Sequence, residues 1–548
     1  MLDPSPILSI RDLSVALPEG GDRPHAVTGL SIDVRPREIV CIVGESGSGK
    51  SVTAFATMGL LPKALRPTGG EIRVDGRDLL SISAKDHAAM RGRTLAMVFQ
   101  EPMSALNPCY TVGEQIEEVF AAHTAMSRAE RRQRTLALME EVKLPDPQRI
   151  HRSYPHQLSG GQRQRIVIAI ALALDPRLLI ADEPTTALDV TTQAQILALF
   201  RQLREKHDAG ILFVTHDFDV VAEIADRVVV MQKGRIVEEG SVDAVLNRPE
   251  HPYTRHLISA VPRRHPQARD TAPATPVALR VEGLEKSFQT PGTMFRPGTP
   301  IRALAPASFS VGENETLGIV GESGSGKSTL VRWLVRLIEP SAGKVEIGGV
   351  DVAGLDRRAF RPYRKDIQII FQDPYGSLNP RRTVGDQLIE GPVNFGVSPK
   401  AAMERARELM RIVRMDEDAV ERYPVQFSGG QRQRICIARA LAVEPKILIA
   451  DEAVSALDVS VQKEVLKLND VKTRLGLTLL FITHDLRVAG EVCDNVMVME
   501  KGEIVETGSV VEVFGHPRHP YTRSLLDAMP GKGWDVPDLG AIAEQELS

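Results

Sequence analysis

Short β-branched and aliphatic runs alternate along this chain with stretches whose apolar positions recur at helical spacing. Glu38–Val43, Leu178–Ala181, Gly210–Val214 and Arg227–Met231 read as strands, and the alternation with helical patterns argues for α/β layering. The stretch from Glu101 to Gln157 departs from this rhythm and reads as mostly helical. Within it, Ser127 and Glu130 form a capping-box pattern ahead of Leu136 and Met139. Further on, Ser398 followed by Pro399 places an N-cap before a proline at the first helical position. A small helical subdomain is therefore expected at about 101–157 and another at about 373–426. The most apolar stretch, Ile166 to Leu174, is far short of the ~20 residues that span a bilayer. The first residues, MLDPSPILSI, lack the basic head and apolar run of a signal peptide. The pattern predicts a chain that does not cross a membrane by itself.

The pattern is written twice. GESGSGKS occurs at Gly44–Ser51 and Gly321–Ser328, and SGGQRQRI at Ser159–Ile166 and Ser428–Ile435. LIADE occurs at Leu179–Glu183 and Leu448–Glu452, and THD at Thr215–Asp217 and Thr483–Asp485. HPYTR closes each copy, at His251–Arg255 and His519–Arg523. The nearly constant separation predicts two copies of one domain, at 1–262 and 278–531. Between them, 263–277 is proline-rich without apolar periodicity and reads as an exposed linker. Residues 532–548 repeat nothing and read as a loose tail.

Composition narrows the picture. The 548 residues are 43% hydrophobic and 25% charged, ordinary values for a folded globular protein. The net charge of −4 gives no general footprint for nucleic acid. Cys41, Cys109, Cys436 and Cys493 stand far apart without CxxC spacing, so they read as reduced thiols and not as a metal or disulfide framework.

The chemistry sits in the repeats. Gly44, Glu45, Ser46, Gly47, Ser48, Gly49, Lys50 and Ser51 match GxxxxGK[ST], between a strand-like run and a helical pattern. Gly321, Glu322, Ser323, Gly324, Ser325, Gly326, Lys327 and Ser328, followed by Thr329, do the same in the second copy. Such glycines let backbone N–H groups turn inward around phosphates, the lysine neutralises phosphate charge, and the hydroxyl is suited to Mg²⁺. Asp182 and Asp451 each end a buried strand-like run, where a further Mg²⁺ contact is needed. Glu183 and Glu452 follow, placed to polarise an attacking water. An Asp-Glu pair at a strand end is otherwise an ordinary helix cap, and the phosphate loops tip the reading to chemistry.

LSGGQ at Leu158–Gln162 and FSGGQ at Phe427–Gln431 resemble the signature of ABC-transporter ATPases. Gln100 and Gln372 match that family's Q-loop, Asp189 and Asp458 its D-loop, and His216 and His484 its switch histidine. The resemblance implies two P-loop nucleotide-binding domains in tandem, each an α/β RecA-like core with a helical subdomain, using ATP and Mg²⁺. It implies metal contacts from Ser51, Gln100 and Asp182, and from Ser328, Gln372 and Asp451. Glu183, His216, Glu452 and His484 are the implied catalytic residues. It also implies that each signature closes over the other half's nucleotide, so both sites form within one chain. Ser428, Gly430 and Gln431 then serve the first phosphate loop, and Ser159, Gly161 and Gln162 the second. The serine and bare N–H groups ahead of an apolar helix suit an anion.

The halves differ in two places. Phe288 stands where the family often stacks an aromatic on adenine, and Leu17 stands there in the first half; the difference implies either weaker binding at the first site or no more than two residues that fill the sheet edge. Ala453 replaces the proline that follows the glutamate in the first half, Pro184. Neither change removes a reacting group, so two hydrolysing sites are expected.

FQEPMSALNP and FQDPYGSLNP, with the HPYTR segments, resemble the importer branch for di- and oligopeptides, which includes nickel and glutathione systems. That branch implies two membrane permease subunits, a periplasmic or lipid-anchored solute-binding protein, and a peripheral position on the cytoplasmic face of the inner membrane. Some relatives carry an iron–sulfur cluster in this extension. The cysteine positions here predict none. Soluble twin-cassette proteins acting on ribosomes or DNA are the rival class. They typically have a long charged linker or zinc-binding cysteines, and this chain has neither.

Overall fold

The computed structural model describes residues 5–18, 23–186, 188–263, 275–289, 300–339, 341–452, 472, 475–537 and 539, with side chains left aside at 287–289 and 300–303. Two compact units account for them. Of the described residues, those up to Val261 and from Pro530 onward form the first, and those from Pro262 to Met529 the second.

In the first unit, the parallel centre of a six-stranded sheet is built from Leu95–Val98, Leu178–Asp182, Gly210–Val214, Ile39–Val43 and Arg227–Gln232. Antiparallel Arg235–Ser241 closes it at the far edge. The strands Ile39–Val43, Leu178–Asp182 and Gly210–Val214 are buried at every residue, as expected for parallel strands covered on both faces. They match the strands read from the pattern to within a residue at each end. A separate antiparallel sheet orders His25–Val34, Leu8–Ala16, Arg66–Val74 and Arg77–Asp78. One apolar cluster joins this sheet to one face of the parallel sheet, with Leu8, Ile10, Val40, Ile42 and Leu178 fully buried.

The other face packs on a helical region formed by Val112–His123, Arg128–Glu141 and Pro147–His151, where Ile116, Phe120, Leu138 and Ile150 are fully buried. Capping fixes its helix starts. Ser127 Oγ accepts from the Glu130 amide at 3.3 Å and the Glu130 carboxylate accepts from the Ser127 amide at 2.7 Å, the reciprocal pair predicted from sequence.

The second unit repeats this plan, with the six-stranded order Ile367–Ile370, Ile447–Asp451, Thr478–Thr483, Thr316–Val320, Asn495–Glu500 and Glu503–Ser509. Its helical region holds Val384–Asn394 and Pro399–Ile412, the latter N-capped by Ser398 with Pro399 in the first turn. Among the described residues, no helix is long and apolar enough to cross a membrane.

The expected loose tail, 532–548, is docked in part: Trp534 is only 6% exposed and belongs to the first unit's apolar cluster, while residues 538 and 540–548 lie outside the described residues. A non-repeating stretch carries no pattern to announce this; Trp534 supplies the buried ring, and Val536 and Leu539 pack beside it. Most of the expected linker, residues 264–274, lies outside the described residues.

Candidate nucleotide sites

Each phosphate loop follows a buried strand and opens a helix, Lys50–Met58 in the first unit and Lys327–Leu334 in the second. Glycine is required at Gly44, where an added Cβ would lie 2.2 Å from the Met231 carbonyl oxygen, and at Gly321, 2.2 Å from that of Met499. Gly47, at φ 78°, has the left-handed backbone that glycine adopts without strain, and no atom lies within 4 Å of where a Cβ would stand. No side chain caps either of these two helices. A helix start without a side-chain cap suits an anion.

The Lys50 ammonium is held within the loop, donating to the carbonyls of Gly44 at 2.6 Å and Glu45 at 2.9 Å. Lys327 repeats this with Gly321 at 2.6 Å and Glu322 at 2.8 Å. Ser51 Oγ donates to Asp182 Oδ1 at 3.0 Å, so two of the three expected metal contacts of the first site are adjacent. Burial, partly offset by the Ser51 hydrogen bond, pushes the Asp182 carboxyl up to about 6; burial and the neighbouring Glu452 do the same for Asp451, also about 6. Two buried carboxyls raised in this way, each beside the loop lysine's charge, fit a divalent cation whose charge would restore their ionised form.

Glu183 has a left-handed backbone, φ 47°, and Glu452 has φ 48°, conformations rare for such residues and concentrated at functional sites. The Glu183 amide donates to Val214 O at 2.9 Å and the Glu452 amide to Ile482 O at 3.0 Å, which ties each turn to the neighbouring strand. Three side chains meet the Glu183 carboxylate: Gln100 Nε2 at 2.8 Å, Thr186 Oγ1 at 3.1 Å and His216 Nδ1 at 3.3 Å. Burial alone would raise its pKa, but the His216 hydrogen bond and charge, with Lys50, bring it below the usual carboxylate range. Glu452 is lowered in the same sense against its own burial, with Gln372 Nε2 at 2.6 Å and His484 Nδ1 at 3.7 Å. The Q-loop glutamines, expected on the metal, donate to the glutamates in this structure.

The signature serines cap separate helices, Gly160–Leu172 and Gly429–Leu441. Ser159 Oγ accepts from the Gln162 amide at 3.3 Å, and Gln162 Oε1 accepts from the Ser159 amide at 3.1 Å. Ser428 and Gln431 form the same reciprocal pair at 3.3 and 3.0 Å. The helix ends are therefore less bare than the motif implied, because Gln162 and Gln431 complete capping boxes. Gly161 is required for packing, since a Cβ there would lie 2.4 Å from a methyl of Thr192. Asp189 caps Val190–His207 through the Thr192 amide at 2.9 Å. Asp458 and Ala453 lie outside the described residues. Phe288 pairs with Ile301 in the strand Val277–Gln289, and its side chain lies outside the described part.

Sequence reasoning missed one contact made twice. The tyrosine hydroxyl of each HPYTR segment accepts from a phosphate-loop amide: Tyr253 from Glu45 at 3.1 Å, and Tyr521 from Glu322 at 3.0 Å. The exact recurrence of the five-residue motif was the available signal.

The ABC transporter family description matches residues 27–186 and 304–455, and the description of the oligopeptide/dipeptide transporter C-terminal region matches 237–296 and 505–546. The chain is 45% identical to the peptidoglycan transport ATP-binding protein YejF of Agrobacterium fabrum, over 95% of this chain and 96% of that protein. It is 45% identical to the glutathione import ATP-binding protein GsiA of Escherichia coli O157:H7, over 96% of this chain and 90% of that protein. A solved structure, the ADP- and Pi-bound dimer of the ATP-binding cassette MJ0796, is 30% identical over 43% of this chain and 98% of its own, with a TM-score of 0.39. With two phosphate loops, two signatures and both C-terminal regions in place, this chain belongs to the ABC-transporter ATPases, as a tandem ATP-hydrolysing subunit of the peptide-importer branch.

Proposed function

We propose that this chain energises uptake of a peptide-like solute, a short peptide, glutathione or a peptidoglycan-derived peptide, from the cytoplasmic face of the inner membrane. The observation that carries this is the paired C-terminal region, which ends each cassette and contacts each phosphate loop through Tyr253 and Tyr521. Family membership brings membrane permeases and a solute-binding protein as partners. We assign two permease subunits, and a binding protein that is periplasmic or lipid-anchored.

In this reading Lys50, Ser51 and the loop amides hold the phosphates of one ATP, with Ser428, Gly430 and Gln431 completing the site. Lys327, Ser328 and Thr329 hold the other, with Ser159, Gly161 and Gln162. Ser51 and Asp182, and Ser328 and Asp451, would hold Mg²⁺, which when bound neutralises charge on the phosphate oxygens. Glu183 and Glu452, kept ionised by their histidines, accept a proton from the attacking water. Gln100 and Gln372 orient these glutamates and carry the state of the site toward the helical regions. Closure on ATP and reopening after hydrolysis supply the motion used by the permeases.

Disruption of the gene, followed by uptake of labelled tripeptide, glutathione and a peptidoglycan-derived peptide, tests the solute class. Loss of at least one of these, restored by the intact gene and not by a Glu183→Gln, Glu452→Gln copy, is expected. Unchanged uptake of all three with loss of nickel or sugar uptake would overturn it.

A further inference from the structure

Three elements that end the first cassette, Phe218–Ile224, Val242–Asn247 and Pro252–Ser259, present a surface contacted by Gly531, Trp534, Val536 and Leu539. Each element supplies one polar contact. The Gly531 amide donates to Glu223 Oε2 at 3.2 Å, and the Trp534 indole N–H donates to Asn247 Oδ1 at 3.1 Å. Arg255 Nη2 donates to the Leu539 carbonyl at 3.1 Å. The indole shares an apolar cluster with Val245, Leu246, Tyr253 and Leu257, and Val536 and Leu539 pack against it. The surface is organised for this contact: Asn247 Nδ2 donates to Asp243 at 2.9 Å, which leaves its Oδ1 facing the indole.

The second copy is not built this way. The repeat puts Glu491, Gly515 and Arg523 at the three places, so the acceptor for an indole is replaced by a glycine without a side chain. Arg523 turns instead onto its own loop, donating to the carbonyls of Pro517 at 2.9 Å and Arg518 at 3.3 Å.

The helix Pro252–Ser259 carries Arg255 toward the C-terminal segment and Tyr253 toward the Glu45 amide of the phosphate loop. We infer that residues 531–537, with Leu539, are a strap that docks on the first cassette and positions its phosphate loop through this helix. The strap makes the two nucleotide sites unequal: the first depends on the C-terminal segment and the second does not.

The full-length chain tests this in two steps. Trp333 and Trp534 are its only tryptophans, so Trp333→Phe leaves Trp534 as the sole reporter. A docked strap gives blue-shifted emission protected from acrylamide; emission of a solvated indole would overturn the docking. MgADP binding by calorimetry is then measured with one site disabled at a time. In the Lys327→Ala chain, Trp534→Ala should weaken binding severalfold and Trp534→Phe should restore most of it. In the Lys50→Ala chain, Trp534→Ala should leave binding unchanged. Equal weakening in both chains, or none in the first, would refute the strap. Neither measurement involves transport, so this inference can fail while the proposed solute class stands.

Discussion

At the scale of single residues, the site is organised around a strained, ionised glutamate. Glu183 accepts from Gln100 and Thr186 and pairs with His216, so its carboxylate has one orientation and a reason to stay charged. Glu183→Gln or Glu452→Gln should each cut steady-state ATP turnover, and the double variant should lose about 10²–10⁴-fold while still binding ATP. A phosphate-release assay beside nucleotide retention on a filter checks both halves of that expectation. The tyrosine contacts give a subtler prediction. Tyr253→Phe leaves the Glu45 amide without its buried acceptor, which should cost about 1 kcal/mol in nucleotide affinity at that site. Calorimetric titration with MgADP reads it directly. The glutamates, lysines and glycines were legible in the sequence because their spacing is dictated by phosphate geometry. The tyrosine role was not, because a hydroxyl reaching an amide 208 residues away leaves no local pattern.

At the scale of elements, helix termini carry the division of labour. The phosphate-loop helices begin without a side-chain cap, while the signature helices begin with serine–glutamine capping boxes. Ser159→Ala removes one cap and should destabilise that helix start by about 1 kcal/mol, seen as faster amide exchange at Gly161 and Gln162. The helical region is held down partly by Glu141, whose carboxylate accepts from Lys206 at 2.6 Å and lies 2.9 Å from a His207 ring nitrogen. Burial acts to raise its pKa, but these partners win and hold it below the ordinary value. A group lowered in the fold stabilises it above the unfolded pKa and loses that contribution as pH falls through the folded one. Glu141→Gln should therefore lower the melting temperature at pH 7, with the difference from the parent chain vanishing on acidification below the carboxylate range. The buried parallel strands and the capped helices were legible because their periods and caps are local. The antiparallel sheet was not singled out, because its strands lack the continuous apolar runs of the parallel sheet: Leu8–Ala16 mixes buried and exposed positions, and its second partner, Arg66–Val74, is largely exposed and lies well along the chain.

At the scale of the whole molecule, duplication explains most of the chain, and its departures from symmetry are informative. Both copies keep lysine, aspartate, glutamate and histidine, so both should hydrolyse ATP. The C-terminal segment breaks the repeat by joining the first unit alone, a placement invisible to a search for repeated motifs. ATP use by the two cassettes drives a membrane importer in this account of the molecule's function. The most direct test is to tag the chain carrying Glu183→Gln and Glu452→Gln and purify it with ATP from detergent-solubilised membranes. Recovery of two polytopic membrane proteins is the predicted result. Recovery of ribosomes or DNA with no membrane partner would contradict it.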